Sequence, residues 1–249
     1  MFLSFFLATS LALGAEPVAP EVAVDGFVVR PTFEVAGEKT PAGGFAFVIT
    51  EAEATVAVTA YQLLGPPSGM AVIPGARVPS KVTRLILGTA DSNTWLANTT
   101  GPMATPMEVL GATASRDVLL ATIPAAVDKT ATLTTQERAG VKPRALASES
   151  PAKGEPIWLV APLPNAPAAG SLHRGTVAEV NGDFMFYDIP DASLDLAGSS
   201  GAPLVNAAGE VVGMQVGVIR FEDGALAGSA VPLSALRARL SDGQKAKKP

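Results

Sequence analysis

The stretch from Asp195 to Gly217 reads DLAGSSGAPLVNAAGEVVGMQVG. Its centre, Gly198-Ser199-Ser200-Gly201-Ala202-Pro203-Leu204, places a serine inside a glycine-flanked tight turn that runs directly into an apolar segment. Glycine allows the backbone to fold closely and to turn successive N–H groups toward one point. A pair of such donors beside a serine oxygen is what acyl transfer needs to hold a developing oxyanion. After Leu204-Val205, the run Asn206-Ala207-Ala208-Gly209 is turn-like, and Val211-Val212-Gly213-Met214 reads as a returning strand. A chain carrying this segment is expected to be a β protein with a serine inside a glycine-flanked turn. An ordinary Gly/Ser loop is the alternative reading of the short motif.

Composition narrows the chemistry. The chain has 249 residues, enough for one large all-β domain or two small ones. Its 18 Lys and Arg against 23 Asp and Glu give a net charge of −5, which argues against nucleic acid or acidic lipid as a partner. With no cysteine and one histidine, a disulfide framework is excluded and a metal centre is not expected; no cofactor is expected either. The 24 glycines and 21 prolines are spread along the chain, as in a protein of many short strands and turns.

The N-terminus, Met1 to Ala15, is a short apolar run ending in small residues. It is too short to span a bilayer and reads as a secretory signal, with an anchoring or buried segment as the alternative. The mature chain is therefore expected to be exported, periplasmic or extracellular, without a membrane span. Residues 16–30 read as an extended leader.

Strands are expected over residues 43–50, 54–60, 82–87, 118–123, 157–161, 173–180, 184–188 and 227–232, with a polar loop over 91–105. Thr130 to Leu133 is also strand-like. Residues 137–156 are polar and proline-containing, as a crossover between two halves would be. Leu233, Leu236 and Leu240 recur at helical spacing, which predicts a short terminal helix, with a disordered tail over 242–249.

Ser-Gly-x-Pro-Leu-Val-Asn, a turn, then Val-Val-Gly closely resembles the nucleophile segment of trypsin-like serine peptidases, and the Deg/HtrA type in style. Thr59-Ala60-Tyr61-Gln62 is similar to the segment that carries the family's general base, and Arg116-Asp117-Val118-Leu119-Leu120 resembles the one that carries the orienting aspartate. The small-residue strand at Ala227 to Pro232 with its helix matches the way such domains end. The resemblance covers about residues 40–241. It implies an all-β fold of two antiparallel six-stranded β-barrels, over 31–140 and 157–241, joined by a crossover at 141–156 and lacking a PDZ module.

It also implies the site. Ser200 would be the nucleophile, Asp117 the triad aspartate, and the N–H groups of Gly198 and Ser200 the oxyanion hole. Leu194 would floor an uncharged specificity pocket, and Val216, Gly217 and Val218 would form the edge that pairs with a bound peptide. The departure is at the base, where Gln62 stands in place of histidine. A carboxamide can donate and accept hydrogen bonds but cannot take up a proton near neutral pH. His173 falls in the second barrel, where it reads as a surface residue beside Arg174. The leading expectation is a peptidase homologue without triad catalysis that binds a protein or peptide. The alternatives are a weak or unusual serine hydrolase using Ser200, or a purely structural envelope domain.

Overall fold

The computed structural model describes residues 16–35, 38–41, 43–51, 54–60, 63, 82–89, 95–98, 118–123, 141–163, 170–182 and 184–245. Among the described residues, fourteen strands and one C-terminal helix make up the regular structure. The first sheet contains β1 (Val28–Val35), β2 (Glu38–Pro41), β3 (Ala46–Glu51), β4 (Ala54–Ala60), β5 (Val82–Thr89), β6 (Trp95–Asn98), β7 (Val118–Ile123) and β8 (Arg144–Ala145). Its path is β6-β5-β1-β3-β4-β7, with β2 added beside β1 and β8 beside β3. The second is a closed barrel, β10-β11-β14-β13-β12-β9. It is built from β9 (Pro156–Val160), β10 (Leu172–Val180), β11 (Met185–Ile189), β12 (Pro203–Val205), β13 (Val211–Arg220) and β14 (Leu226–Pro232). Closure removes the exposed edges that an open sheet of this length would carry.

The alternation that marked the strands in sequence is visible in the barrel. Along β10, Val177 and His173 point inward while neighbouring side chains are only partly covered, the period-2 pattern of a strand with one buried face. Phe27, Phe47, Ile49, Leu159, Met185 and Tyr187 are all within 1 % of complete burial and anchor the cores of the two sheets.

Three local expectations are corrected. The leader does not extend through residue 30, because β1 begins at Val28 and includes Pro31. Pro31 is tolerated where β1 changes partner: Val28 and Val29 pair with β3, and Thr32 onward pairs with β2, so no ladder bond is required of the missing N–H on that side. The polar loop over 91–105 contains β6, paired with β5 through Ile86↔Asn98 and Leu87↔Ala97. The terminal helix, α1 (Leu233–Lys245), runs past residue 241 into the stretch read as a tail. The strand-like Thr130 to Leu133 lies outside the described residues.

The crossover ties the two sheets together. Within it, β8 pairs with β3, and this is a parallel pairing in an otherwise antiparallel sheet. The Ala147 N–H then donates to the Val211 carbonyl of the barrel at 2.9 Å. Arg237 of α1 donates to the carbonyls of Ala147 and, at 2.8 Å, of Ser148.

Candidate functional site

The serine turn is held on three sides. On the chain's own side, the Ser199 N–H donates to the Leu196 carbonyl and the Ala202 N–H to the Ser199 carbonyl, each at 3.0 Å. Between those two turns, Gly198 and Gly201 adopt φ of +76° and +84°, backbone that a side chain would strain. On the barrel side, the Gly201 N–H donates to the Gln215 carbonyl, and the Gln215 N–H donates to the Ala202 carbonyl, both at 2.8 Å. On the first-sheet side, the Phe45 N–H donates to the Ser200 carbonyl at 2.8 Å.

That last contact is where the two sheets meet the serine. A Cβ on Gly201 would lie 2.0 Å from the Phe45 carbonyl oxygen, and one on Gly44 would lie 2.5 Å from the Ser200 carbonyl oxygen. Glycine is therefore required on both sides of the junction by close backbone approach, with positive φ adding to the requirement at Gly201. Thr59 Oγ1, fully buried on β4, donates to the Phe45 carbonyl at 2.6 Å and fixes that carbonyl from behind. Arg30 stands over the Phe45 ring at 3.7 Å and donates to the Gly44 carbonyl at 3.2 Å. Burial lowers its pKa from the usual guanidinium value.

Ser200 borders a cavity of about 320 Å³. One wall is the turn from Ala197 to Ser200, the opposite wall is Gln215 to Val218 of β13, and Gly43, Leu63 and Leu196 complete it. Among the described residues no charged side chain lines it. The Ser200 hydroxyl donates to the Val216 carbonyl at 3.4 Å. Val216 is the extra residue of a bulge: pairing with β14 goes from Gln215↔Ala230 directly to Gly217↔Ser229. Because β12 begins at Pro203, opposite Met214, and the serine turn bonds Gln215, the β12 side of β13 from Val216 onward faces the cavity rather than another described strand.

Of the residues singled out in sequence, Ser200, Gly198, Val216, Gly217 and Val218 come together around this cavity. Leu194 does not line it; the side chain is buried and Leu196, two residues on, takes the wall position. Asp117 and Gln62 lie outside the described residues. His173 is not a surface residue. It is 6 % exposed, with Nε2 2.8 Å from the Ala161 carbonyl oxygen, and it does not line the cavity. Burial lowers its pKa below the ordinary histidine value, partly offset by the bond to Ala161 and the charge of Asp191.

Sequence reasoning missed several residues that shape the site. Gln215 is fully buried; its Oε1 accepts from the Tyr187 hydroxyl at 2.6 Å and its Nε2 donates to the Gly217 carbonyl at 2.7 Å. A lone amide in the apolar run from Val211 to Val218 was the available signal, since a buried amide requires partners. Arg220 donates to the carbonyls of Ala192 at 3.0 Å and Leu194 at 3.3 Å, pinning the loop that enters the serine turn. Within that loop, Asp191 accepts from the N–H and the hydroxyl of Ser193, which hold its carboxyl below the usual pKa.

A half-buried serine on a double-glycine turn, at the junction of a closed barrel with a second β-sheet, defines a chymotrypsin-like serine peptidase architecture. The chain belongs to the trypsin-like peptidase domain family, whose model matches residues 44–214, more than half of its length. Among solved structures it is similar to a serine endoprotease from Yersinia pestis, with a TM-score of 0.52 and 16% identity over 88% of this chain and 63% of that one. It is also similar to the Rv3671c protease of M. tuberculosis. The active form gives a TM-score of 0.51 and 14% identity, covering 97% of this chain and 93% of that one. An inactive form gives 0.51 and 15%, covering 90% and 89%. At these identities the likeness is one of fold. No curated protein matches the chain in sequence.

Proposed function

We propose that this chain is an exported trypsin-like peptidase homologue that no longer runs triad catalysis and uses its cleft to bind an extended peptide or protein segment. The observation that carries this reading is the position of its single histidine. His173 is buried, bonded to a backbone carbonyl, and outside the cavity that Ser200 borders. Gln62 occupies the base position by family resemblance, and a glutamine cannot accept the serine proton. Losing the histidine of a triad lowers kcat by about 10⁶-fold and leaves about 10³–10⁴ over water from the oxyanion hole and binding. That remainder is too small for a useful protease. The cavity and the Val216-Gly217-Val218 segment of β13 that lines it support peptide recognition: a depression for a side chain beside the backbone of a strand. Gly198 and Ser200 would then serve as donors to a ligand carbonyl rather than to an oxyanion, and Asp117 would hold the Gln62 amide.

The test is peptide selection from a displayed library on the purified mature chain, followed by titration of the selected peptides. Among the described residues a Cβ on Gly217 meets nothing closer than Ser229 Cβ at 3.6 Å, so Gly217→Trp should fold while placing a bulky side chain on a segment that lines the cavity. Selected peptides should bind the parent and lose about tenfold or more in affinity against this variant, equivalent to about 1.4 kcal/mol. Peptides that bind both equally, or no enrichment at all, would remove the binding cleft from the account.

A further inference from the structure

The Tyr187 ring is fully buried in the barrel and wedged between two glycines. A Cβ on Gly228, its cross-strand neighbour on β14, would lie 2.1 Å from the ring, and one on Gly175 of β10 would lie 2.6 Å from it. The ring has no room to move, so its hydroxyl is a fixed donor, and burial raises its pKa well above the ordinary phenol value. It points at Gln215 Oε1, 2.6 Å away.

Two partners hold the carboxamide: the Gly217 carbonyl, which can only accept, sets which way it faces, and the Tyr187 hydroxyl donates to the oxygen that remains. With Oε1 turned to the hydroxyl, Nε2 is turned to the Gly217 carbonyl at 2.7 Å; the flipped amide would set two acceptors against each other. The Gly217 carbonyl is thus drawn toward the barrel interior only two residues beyond Gln215. Val216, caught between the two, is the residue that bulges out of register and turns its carbonyl to the Ser200 hydroxyl.

We propose that Tyr187 is a positioning residue for the cleft, acting through Gln215 to hold the β13 edge in its bulged form beside Ser200. This rests on the geometry of the cleft and does not depend on whether Ser200 reacts or on which ligand binds.

The alternative is that the pair only adds to barrel stability, and the two can be separated. Tyr187→Phe keeps the ring and leaves Gln215 Oε1 buried without its donor, so it should both lower Tm and release the edge. Adding Gln215→Met removes the orphaned group with little change of shape, which should return most of the lost Tm while leaving Gly217 untethered. Amide hydrogen exchange on the full chain reads the edge directly. Exchange at Val216, Gly217 and Val218 should rise about tenfold or more in Tyr187→Phe and stay raised in the double variant, with β10 amides unchanged relative to the edge. Unchanged edge exchange in Tyr187→Phe would overturn the proposal. So would an equal rise across β10, or edge exchange that returns together with Tm in the double variant.

Discussion

At the residue scale, His173 shows how a position changes meaning once its surroundings are known. In sequence it stood next to Arg174 and read as a surface residue. In the barrel the period-2 alternation of β10 turns it inward, and the Ala161 carbonyl takes its ring nitrogen at 2.8 Å. Burial dominates and lowers its pKa from 6.5, while Asp191 and the Ala161 bond act in the other direction. The folded chain therefore binds the imidazole proton less readily than the unfolded chain. Stability from this group is complete above the unfolded pKa of about 6.5 and declines as pH falls from there toward the lower folded value. Denaturant midpoints between pH 7.5 and about 5 should fall more steeply for the parent than for His173→Gln, which cannot titrate. Parallel pH profiles would contradict this assignment. The same scale explains why the Tyr187–Gln215 pair is not legible in the sequence: the two residues lie 28 apart, on strands that only the closed barrel brings together.

At the scale of elements, alternation and turn residues were informative where a strand has one buried face and clear punctuation. The strand Ala54–Ala60 matches its expected bounds, and the serine turn with its returning strand was legible from glycine spacing alone. Pairing partners were less accessible. The strand Trp95–Asn98 is short and sits at the end of the sheet path, where a polar sequence hides it. Leu194 and Leu196 are alike in composition, and only the turn closed by Leu196 and Ser199 places the second in the cavity wall. The bulge at Val216 has no mark in the sequence, because it follows from the Gln215 tether. The junction between the serine turn and β3 carries its own prediction. Gly201→Ala combines positive φ with a Cβ 2.0 Å from the Phe45 carbonyl oxygen. It should cost about 3 kcal/mol or more in chemical denaturation, from backbone strain plus forced separation of the sheets. A loss near the few tenths typical of a surface change would mean that the junction is looser than its contacts imply.

At the scale of the molecule, a peptidase scaffold holds its serine turn in place through glycine contacts and hydrogen bonds from both sheets, while its only histidine is committed to the barrel core. The architecture comes from alternating strands and does not depend on one side chain, which is how, on the proposed reading, the family fold would persist without the family chemistry. Among the described residues no helix is long and apolar enough to cross a bilayer. The central claim is that the scaffold lacks only its base. The most direct measurement is the rate of fluorophosphonate labelling of the purified mature chain, beside Ser200→Ala and Gln62→His. The account predicts no Ser200-dependent labelling of the unmodified chain and a gain of about 10²-fold or more in Gln62→His, the usual scale of general-base assistance. Ser200-dependent labelling of the unmodified chain, undiminished relative to Gln62→His, would contradict it and establish an activated serine served by another base.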